Sequence, residues 1–539
     1  MIVEKTDKWT QITTFFLHKK KNQSILDGYS DEWFCLGIPL LISLAVKLIL
    51  LSELYQSTIN MDGILYINAA QQFAAGSIAK GLAMYPMPAY PLLIAFVHIL
   101  IPDWIFAGYM ISIMSMVLTV IPLYCLTKYM FGTRAAFWTC LVFALMPKIN
   151  EWSLYVSRDP IFLLIFAWCI YSAVKSIETS DFSYFWFTFI IGWCSVLIRI
   201  EGIIFIFFYF GVLICLSFTH KEQRTAYLVK SLTWAGLPLV TGLTAILTMG
   251  SSSLAVNRLD QVIAELINFF NGNFLDLYFQ IYEIFKTAEN YPPFSGLHYN
   301  AAALARHYLL IIYLMGMAEV LIKVIFPLSC IPLYIALKER LSPPGRFILC
   351  LWSLYMGLIF YFLLTRDFLS TRFLMIPAFL LLPWIGEGID RLCRKINTAS
   401  RKKSILFLIA VLILAPGAKS FELLCFNDNA IPIAVNWLDE NNMLGNIEIA
   451  TNEKKLSFYI DPKNKKKPLN TVIHYSREIK NYKDLEKFAL KNNTDILLIN
   501  LHNKNKEKIP DFNCFKKIHL ISGDDDLVQI YSRSSCRAQ

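Results

Sequence analysis

The chain has 539 residues, 56% of them hydrophobic and 14% aromatic, with a mean hydropathy of +0.48. Soluble domains run nearer about 45–50% apolar and runs of about 20 apolar residues mark bilayer-crossing helices, so this composition excludes a soluble globular protein and implies a polytopic membrane protein. The net charge of +10 does not argue for nucleic acid, because Lys and Arg retained on cytoplasmic loops give the same excess.

In chain order, residues 1–32 are polar, with the basic cluster His18-Lys19-Lys20-Lys21 placing the N-terminus in the cytoplasm. No small-residue cleavage site precedes the first apolar run, 33–51, which reads as an uncleaved span rather than a signal peptide. Span one exits outward into a loop, 55–103, that carries Met61-Asp62-Gly63. A carboxylate just beyond the mouth of a span faces both water and headgroups, a useful place for a base.

Within that loop, 86–101 is apolar but short, opens with Pro86, Pro88 and Pro91 and ends at Pro102-Asp103. Spanning takes about 20 residues, so this segment is expected to lie along the membrane as a juxtamembrane helix. That choice puts Lys128 and Arg134 inside and Asp159 outside with Asp62.

Further spans are expected over 104–126, 135–146, 161–173, 182–198, 203–218, 231–249, one within 308–336, then 347–364, 373–389 and 404–421. That is about eleven spans, with Lys175, Lys221, Arg224, Lys338, Arg340 and the run 391–403 inside. A long outer loop, 250–307, carries apolar residues at helical spacing around Asp260, Glu265, Asp276 and Glu283, as in helices lying on a membrane surface. From 425 to 539 the composition shifts to Lys, Asn and Asp. Short apolar runs at 447–450 and 495–499 suggest strands and 483–491 a helix, together a small outer α/β domain.

The twelve cysteines lack ligand spacing and lie mostly in apolar runs, as do Cys125, Cys140, Cys169 and Cys350. They read as buried small hydrophobes, indicating neither a disulfide framework nor a zinc site.

This topology gathers Asp62, Arg158, Asp159, Arg199, Glu201, Arg306, Arg366, Asp367 and Arg372 on the outer face. Any one of them could be an ordinary loop charge. Arg199-Ile200-Glu201 stands out, because charges inside an apolar stretch cost about 2.5–3.5 kcal/mol each at mid-bilayer and so line a polar cavity or mark a tight hairpin. Tyr55, Tyr66, Tyr85 and Tyr90 could stack on a substrate ring or belong to the interfacial aromatic belt.

The motifs Asp62-Gly63-x-x-Tyr66, Tyr85-Pro86-x-Pro88-x-Tyr90-Pro91, Ser157-Arg158-Asp159-Pro160, Ile198-Arg199-Ile200-Glu201-Gly202 and Ser370-Thr371-Arg372-Phe373, in that order, resemble the GT-C membrane glycosyltransferases. Within them the chain is most similar to bacterial relatives of the protein O-mannosyltransferases and of the lipid A aminoarabinose transferase (glycosyltransferase family 39). The resemblance covers about 54–390. It implies a catalytic Asp in the first outer loop, which maps to Asp62, and a second acid opening a later helix, which maps to Asp159. Two departures stand out: Asp62-Gly63 replaces the Asp-Glu of protein O-mannosyltransferases, and the Trp-Trp-Asp motif of oligosaccharyltransferases is absent.

The expectation is a mainly α GT-C protein with a membrane domain over 33–424 and an extracytoplasmic α/β domain over 425–539, embedded in the inner membrane. It transfers a sugar from a polyprenyl phosphate to an outer lipid, glycan or protein, with inversion. A lipid-linked donor needs no nucleotide-binding loop, and neither a P-loop nor a Rossmann glycine pattern occurs. Asp62 serves as base, Arg199 and Arg372 grip the leaving phosphate with Arg158 and Arg366 behind them, and Tyr66, Tyr85 and Glu201 line the substrate. Asp62 and Asp159 could share a divalent metal, with His298 or His307 as a further ligand. The rival class is a transporter or flippase, which would be expected to show inverted repeats and mid-membrane charges; no internal repeat is found.

Overall fold

The computed structural model describes residues 29–55, 58–179, 181–249, 264, 267–289, 301–396, 402–425, 429–444, 447–460, 472–475, 482–502, 512–522 and 526–534. Six described helices are long and apolar enough to cross a membrane: Trp33–Leu54 within α1 (Tyr29–Leu54), α5 (Trp104–Phe131), α8 (Asp159–Glu178), α10 (Gly202–Thr219), α16 (Pro343–Arg366) and Lys403–Leu424, which includes most of α18 (Lys402–Phe421). Between them lie α6 (Thr133–Leu145), α7 (Pro147–Ser153), α9 (Phe182–Ile198), α11 (Arg224–Met249), α12 (Asp276–Glu289) and α17 (Met375–Ile396). Asp260, Glu265 and His298 lie outside the described residues.

Local chemistry explains the breaks. Asp103 caps α5 by accepting from the Phe106 N–H at 2.8 Å. Gly132, at φ +99°, lets α5 turn directly into α6. The span expected within 308–336 is broken once: α14 (Leu309–Ile325), which α13 (Ala301–His307) meets at 80°, ends at Phe326, at φ 68°, before Pro327. A left-handed aromatic followed by a residue without an N–H cannot continue a helix, so 330–337 restarts as α15 (Cys330–Leu337).

The loop after α1 contains three short helices, α2 (Met61–Ala74), α3 (Ile78–Met84) and α4 (Ala89–His98). Ten residues of α4 reach about 15 Å, half a hydrocarbon core. It leaves Leu92 and Phe96 exposed, and α3 leaves Ile78 and Met84 exposed. Such a face suits a surface-lying amphipathic element.

The most enclosed span is α8, packed between α5 and α9. Helix α17 crosses close to its neighbours because Gly386 and Gly388 lie against Ala135 and Thr139 of α6 and against Pro332 of α15, where a Cβ would overlap the backbone. Small residues at such crossings permit the backbone contact that packs helices in lipid.

Helix directions separate the charges into two ends. Asp62, Asp159, Arg199, Glu201 and Arg372 stand at one end, while Arg346, Arg391 and Arg394 stand at the other end of the same helices. There Arg391 bridges Glu387 at 2.7 Å and Glu339 at 2.6 Å.

The tail forms a five-stranded sheet in the order β2-β1-β3-β5-β4: β1 (Glu448–Thr451), β2 (Val472–Tyr475), β3 (Ile496–His502), β4 (Phe515–Ser522) and β5 (Asp526–Arg533). β1 runs parallel to β2 and β3, with Ile449 opposite Ile496, and β5 is antiparallel to β3 and β4. Helices α19 (Ala430–Glu440), α20 (Leu456–Ile460) and α21 (Tyr482–Lys491) accompany it. The composition shift and the strand and helix expectations for the tail agree with this sheet domain. Cys514 is disulfide-bonded, so the tail holds a bridge that cysteine spacing did not indicate.

Replacing Gly386 with Val is expected to wedge α17 away from α6, costing about 1–3 kcal/mol or more and lowering the thermal midpoint of the detergent-solubilised chain. A wild-type midpoint would show that the crossing tolerates a Cβ.

Candidate active site

The turn between α9 and α10 sets the site. Arg199 ends α9 in extended backbone (φ −141°), and its carbonyl accepts from the Gly202 N–H at 2.9 Å. A Cβ on Gly202 would sit 2.9 Å from the Ser195 carbonyl carbon and the Val196 nitrogen, so only glycine lets α10 begin this close to α9. The turn Arg199-Ile200-Glu201 is tight, and both of its charged side chains line a cavity.

Arg199 is buried at 5% exposure and holds two carboxylates. Its Nη1 pairs with Asp159 Oδ1, while Nε and Nη2 donate to Glu201 at 3.2 and 2.5 Å. The rigid planar fork suits this task, where a lysine ammonium would offer a single point charge on a flexible stem. Burial pushes the Glu201 carboxyl up, but the charge and hydrogen bonds of Arg199 and the charge of Arg158 outweigh it and hold the group at about 2.

Asp159 opens α8 with Pro160 behind it, a carboxylate at a helix N-terminus. The Ser157 hydroxyl donates to Asp159 Oδ2 and accepts from its N–H at 3.1 Å. Asp62 opens α2 and is half exposed, and it accepts from Arg372 Nη1 at 2.9 Å.

A cavity of about 210 Å³ adjoins these groups; Asp62 does not itself line it and is linked to it through Arg372. Asp159, Arg199, Glu201 and Arg372 form its polar wall, and side chains such as Phe162, Leu358, Phe362 and Ile376 form an apolar remainder. Tyr355 lines it too and donates to the Glu201 carbonyl at 3.3 Å.

Other expected members are placed elsewhere. Tyr66 and Tyr85 do not line this cavity; they pack edge to face at 4.9 Å, with Tyr90 5.1 Å from Tyr66, in a buried cluster. Burial pushes the Tyr66 phenol well up, removing it from proton transfer near neutrality. Arg158 stands behind the wall, 8% exposed, with its guanidinium 5.8 Å from the Tyr85 ring centre and Nη1 donating to the Ile198 carbonyl at 3.4 Å. Arg366 ends α16 in an exposed position outside the cavity. Arg306 pairs with Glu289 at 3.0 Å.

The residues do not fit a divalent metal. Asp62 and Asp159 are each engaged by a guanidinium, and among the described residues no three His, Cys, Asp or Glu side chains converge. Calcium and magnesium take six or more oxygen ligands, magnesium often with several from water. His307 lies in α13 with its Nδ1 2.8 Å from the Ala303 carbonyl.

Sequence reasoning missed Asn60. Its amide donates to the Val156 carbonyl and its Oδ1 accepts from the Val156 N–H, both at 3.2 Å, clasping the segment before Asp62 to the segment before Asp159. An Asn just before a helix signals a cap, but this one makes no cap bond, and its cross-loop role has no local signature.

Two outcomes follow. Arg199→Ala strands two carboxylates against an apolar wall and is expected to destabilise the chain by about 3–5 kcal/mol, measured by thermal unfolding in detergent. Because Glu201 is depressed, its stabilising contribution is full above the ordinary 4.5 and declines as pH falls from there toward 2. The thermal midpoint is therefore expected to fall through that window, and less steeply in Glu201→Gln; parallel profiles would contradict the pairing.

Comparison with known proteins agrees with this architecture. The family described as dolichyl-phosphate-mannose-protein mannosyltransferase matches residues 85–250, which contain Asp159, Arg199 and Glu201. No curated protein sequence matches the chain. Among solved structures, ArnT from Cupriavidus metallidurans bound to undecaprenyl phosphate superimposes with a TM-score of 0.50 at 11% identity, covering 92% of this chain and 98% of its own. The Archaeoglobus fulgidus oligosaccharyltransferase in complex with Zn and sulfate gives 0.50 at 13% identity, covering 86% of this chain and 68% of its own. The chain thus shares the GT-C fold of these two structures, and its residues 85–250 match the mannosyltransferase family.

Proposed function

We propose that the chain is an inverting glycosyltransferase that moves a sugar from a polyprenyl-phosphate donor to an acceptor on the outer face of a cell membrane. The observation that carries this reading is the cavity's division: an apolar body ending at two arginines, Arg199 and Arg372. A polyprenyl phosphate has the same division between hydrocarbon and anion, and arginine forks match phosphate oxygens. The undecaprenyl phosphate in the ArnT structure and the dolichyl-phosphate-mannose family segment support the same donor class.

In this reading Arg372 does two things in turn. It first holds Asp62, and a phosphate entering the cavity then competes for the guanidinium and releases the carboxylate. Asp62, half exposed, accepts the proton of the acceptor hydroxyl or amine as that atom attacks the anomeric carbon. The anomeric carbon–oxygen bond breaks, and the electron pair leaves on the polyprenyl phosphate, whose charge Arg372 and Arg199 offset. One base and one displacement suffice, so configuration inverts. Asp159 and Glu201 hold Arg199 in place with Arg158 behind them, and Arg366 stays peripheral.

The sidedness is part of the proposal. The disulfide at Cys514 supports an oxidising compartment for the tail, and the basic residues at the opposite helix ends support a cytoplasmic location there.

Asp62→Asn is expected to reduce transfer by about 10²- to 10⁴-fold, read by mass spectrometry of envelope lipids, glycans and proteins from cells with and without the gene. Undiminished transfer in a well-expressed variant would remove Asp62 from the reaction. Single cysteines at the part-exposed positions 62 and 201 should both react with an impermeant thiol reagent added from outside; opposite sidedness would sink the shared site.

A further inference from the structure

The proposed membrane site has a second support, reached from the far end of the sequence. Helix α20 of the tail domain inserts Phe458, 3% exposed, into the cluster of Tyr66, Tyr85, Tyr90 and Val156. The next residue, Tyr459, accepts a hydrogen bond at its hydroxyl from the Ile59 N–H at 2.8 Å. Ile59 is fully buried and lies three residues before Asp62. A buried N–H left without an acceptor costs about 1–3 kcal/mol, so this amide points where Tyr459 directs it.

The arm carrying Tyr459 is braced on the sheet. Asn452 and Asn500 exchange two hydrogen bonds at 2.8 Å between the loop after β1 and β3. The Asn500 side-chain amide donates to Glu453 at 3.1 Å, and Glu453 accepts from the Lys455 N–H at 3.0 Å. Residues 59–60 are therefore held from two sides, by Tyr459 of the tail and by the Asn60 clasp to Val156. Gly63 follows with no spare room, since a Cβ there would meet Asn60 Oδ1 at 2.8 Å and Val156 Cβ at 2.9 Å.

We propose that Tyr459 is a positioning residue for Asp62, so that the C-terminal domain is part of the catalytic apparatus through the peptide it orients. This rests on the reading of Asp62 as base. The hydrogen bond from the Ile59 N–H places the effect of Tyr459 on the carboxylate three residues on rather than on donor grip. Misplacement of a base by a fraction of an ångström slows transfer without weakening a phosphate site.

The test uses the full chain with Tyr459→Phe, which keeps the ring in its packing and removes the acceptor oxygen. Transfer in cells lacking the native gene, quantified as above, is expected to fall roughly tenfold. Binding of undecaprenyl phosphate to the purified variant should stay within twofold of wild type, and amide exchange over 59–66 should quicken. Wild-type transfer, or equal losses of transfer and undecaprenyl phosphate binding, would overturn the proposal. If the variant does not accumulate, the wild-type chain decides under a urea titration. Amides 59–66 must then lose protection together with β3, and protection that outlasts the tail sheet refutes the coupling. Asp62→Asn run in parallel keeps the two readings apart: its retained activity removes the base assignment, whereas an inactive Asp62→Asn beside an unaffected Tyr459→Phe removes only the positioning role.

Discussion

Three carboxylates and three arginines share one end of the helix assembly, and the structure there depends on how they neutralise one another. Arg199 carries the heaviest duty because its partners Asp159 and Glu201 come from different helix ends and meet only through its guanidinium. In a low-dielectric surrounding each of these charges alone would be costly, whereas paired and hydrogen-bonded they are tolerated. The pairing also explains a division within the cluster. Arg199 is enclosed and doubly held, while the Arg372–Asp62 pair is half open and the easier one for an arriving anion to separate.

Backbone geometry makes that cluster possible. Gly202 allows two apolar helices to meet with no linker beyond Arg199, Ile200 and Glu201. Pro160 and the Ser157 hydroxyl start α8 at Asp159 and hold its carboxylate in the first turn. Asn60 then ties the start of α2 to this same loop, so that Asp62 and Asp159, nearly a hundred residues apart, are fixed relative to each other. None of these contacts is strong alone, at about 1 kcal/mol for a typical hydrogen bond. Their value lies in leaving the two acids few alternative placements.

The tail sheet has the same relation to the membrane helices at one point. Its contact through Phe458 and Tyr459 falls on the buried cluster beside the site, which the short helices share with α1 and α5, and on the loop before Asp62. A domain that merely extended from the last helix would not need a buried aromatic within the cluster of Tyr66, Tyr85 and Tyr90.

Much of this was legible in the sequence because membranes impose simple rules. Long apolar runs, charge bias between loops and the short proline-rich segment at 86–101 follow from hydropathy and length alone. The acids Asp62 and Asp159 and the turn at Arg199 were visible as charges at the edges of apolar stretches. Which partner each charge takes was decided only in three dimensions, since a loop sequence does not encode the direction in which its side chains converge. Arg158 and Arg366 have the right chemistry and adjacency to the motifs, yet packing puts one behind the wall and the other outside it. Tyr66 and Tyr85, open in sequence to either a substrate-lining or an interfacial place, are buried against each other in the fold. Asn60 and Tyr459 had no signal at all, because a hydrogen bond spanning 400 residues exists only once the membrane helices and the tail sheet have been brought together.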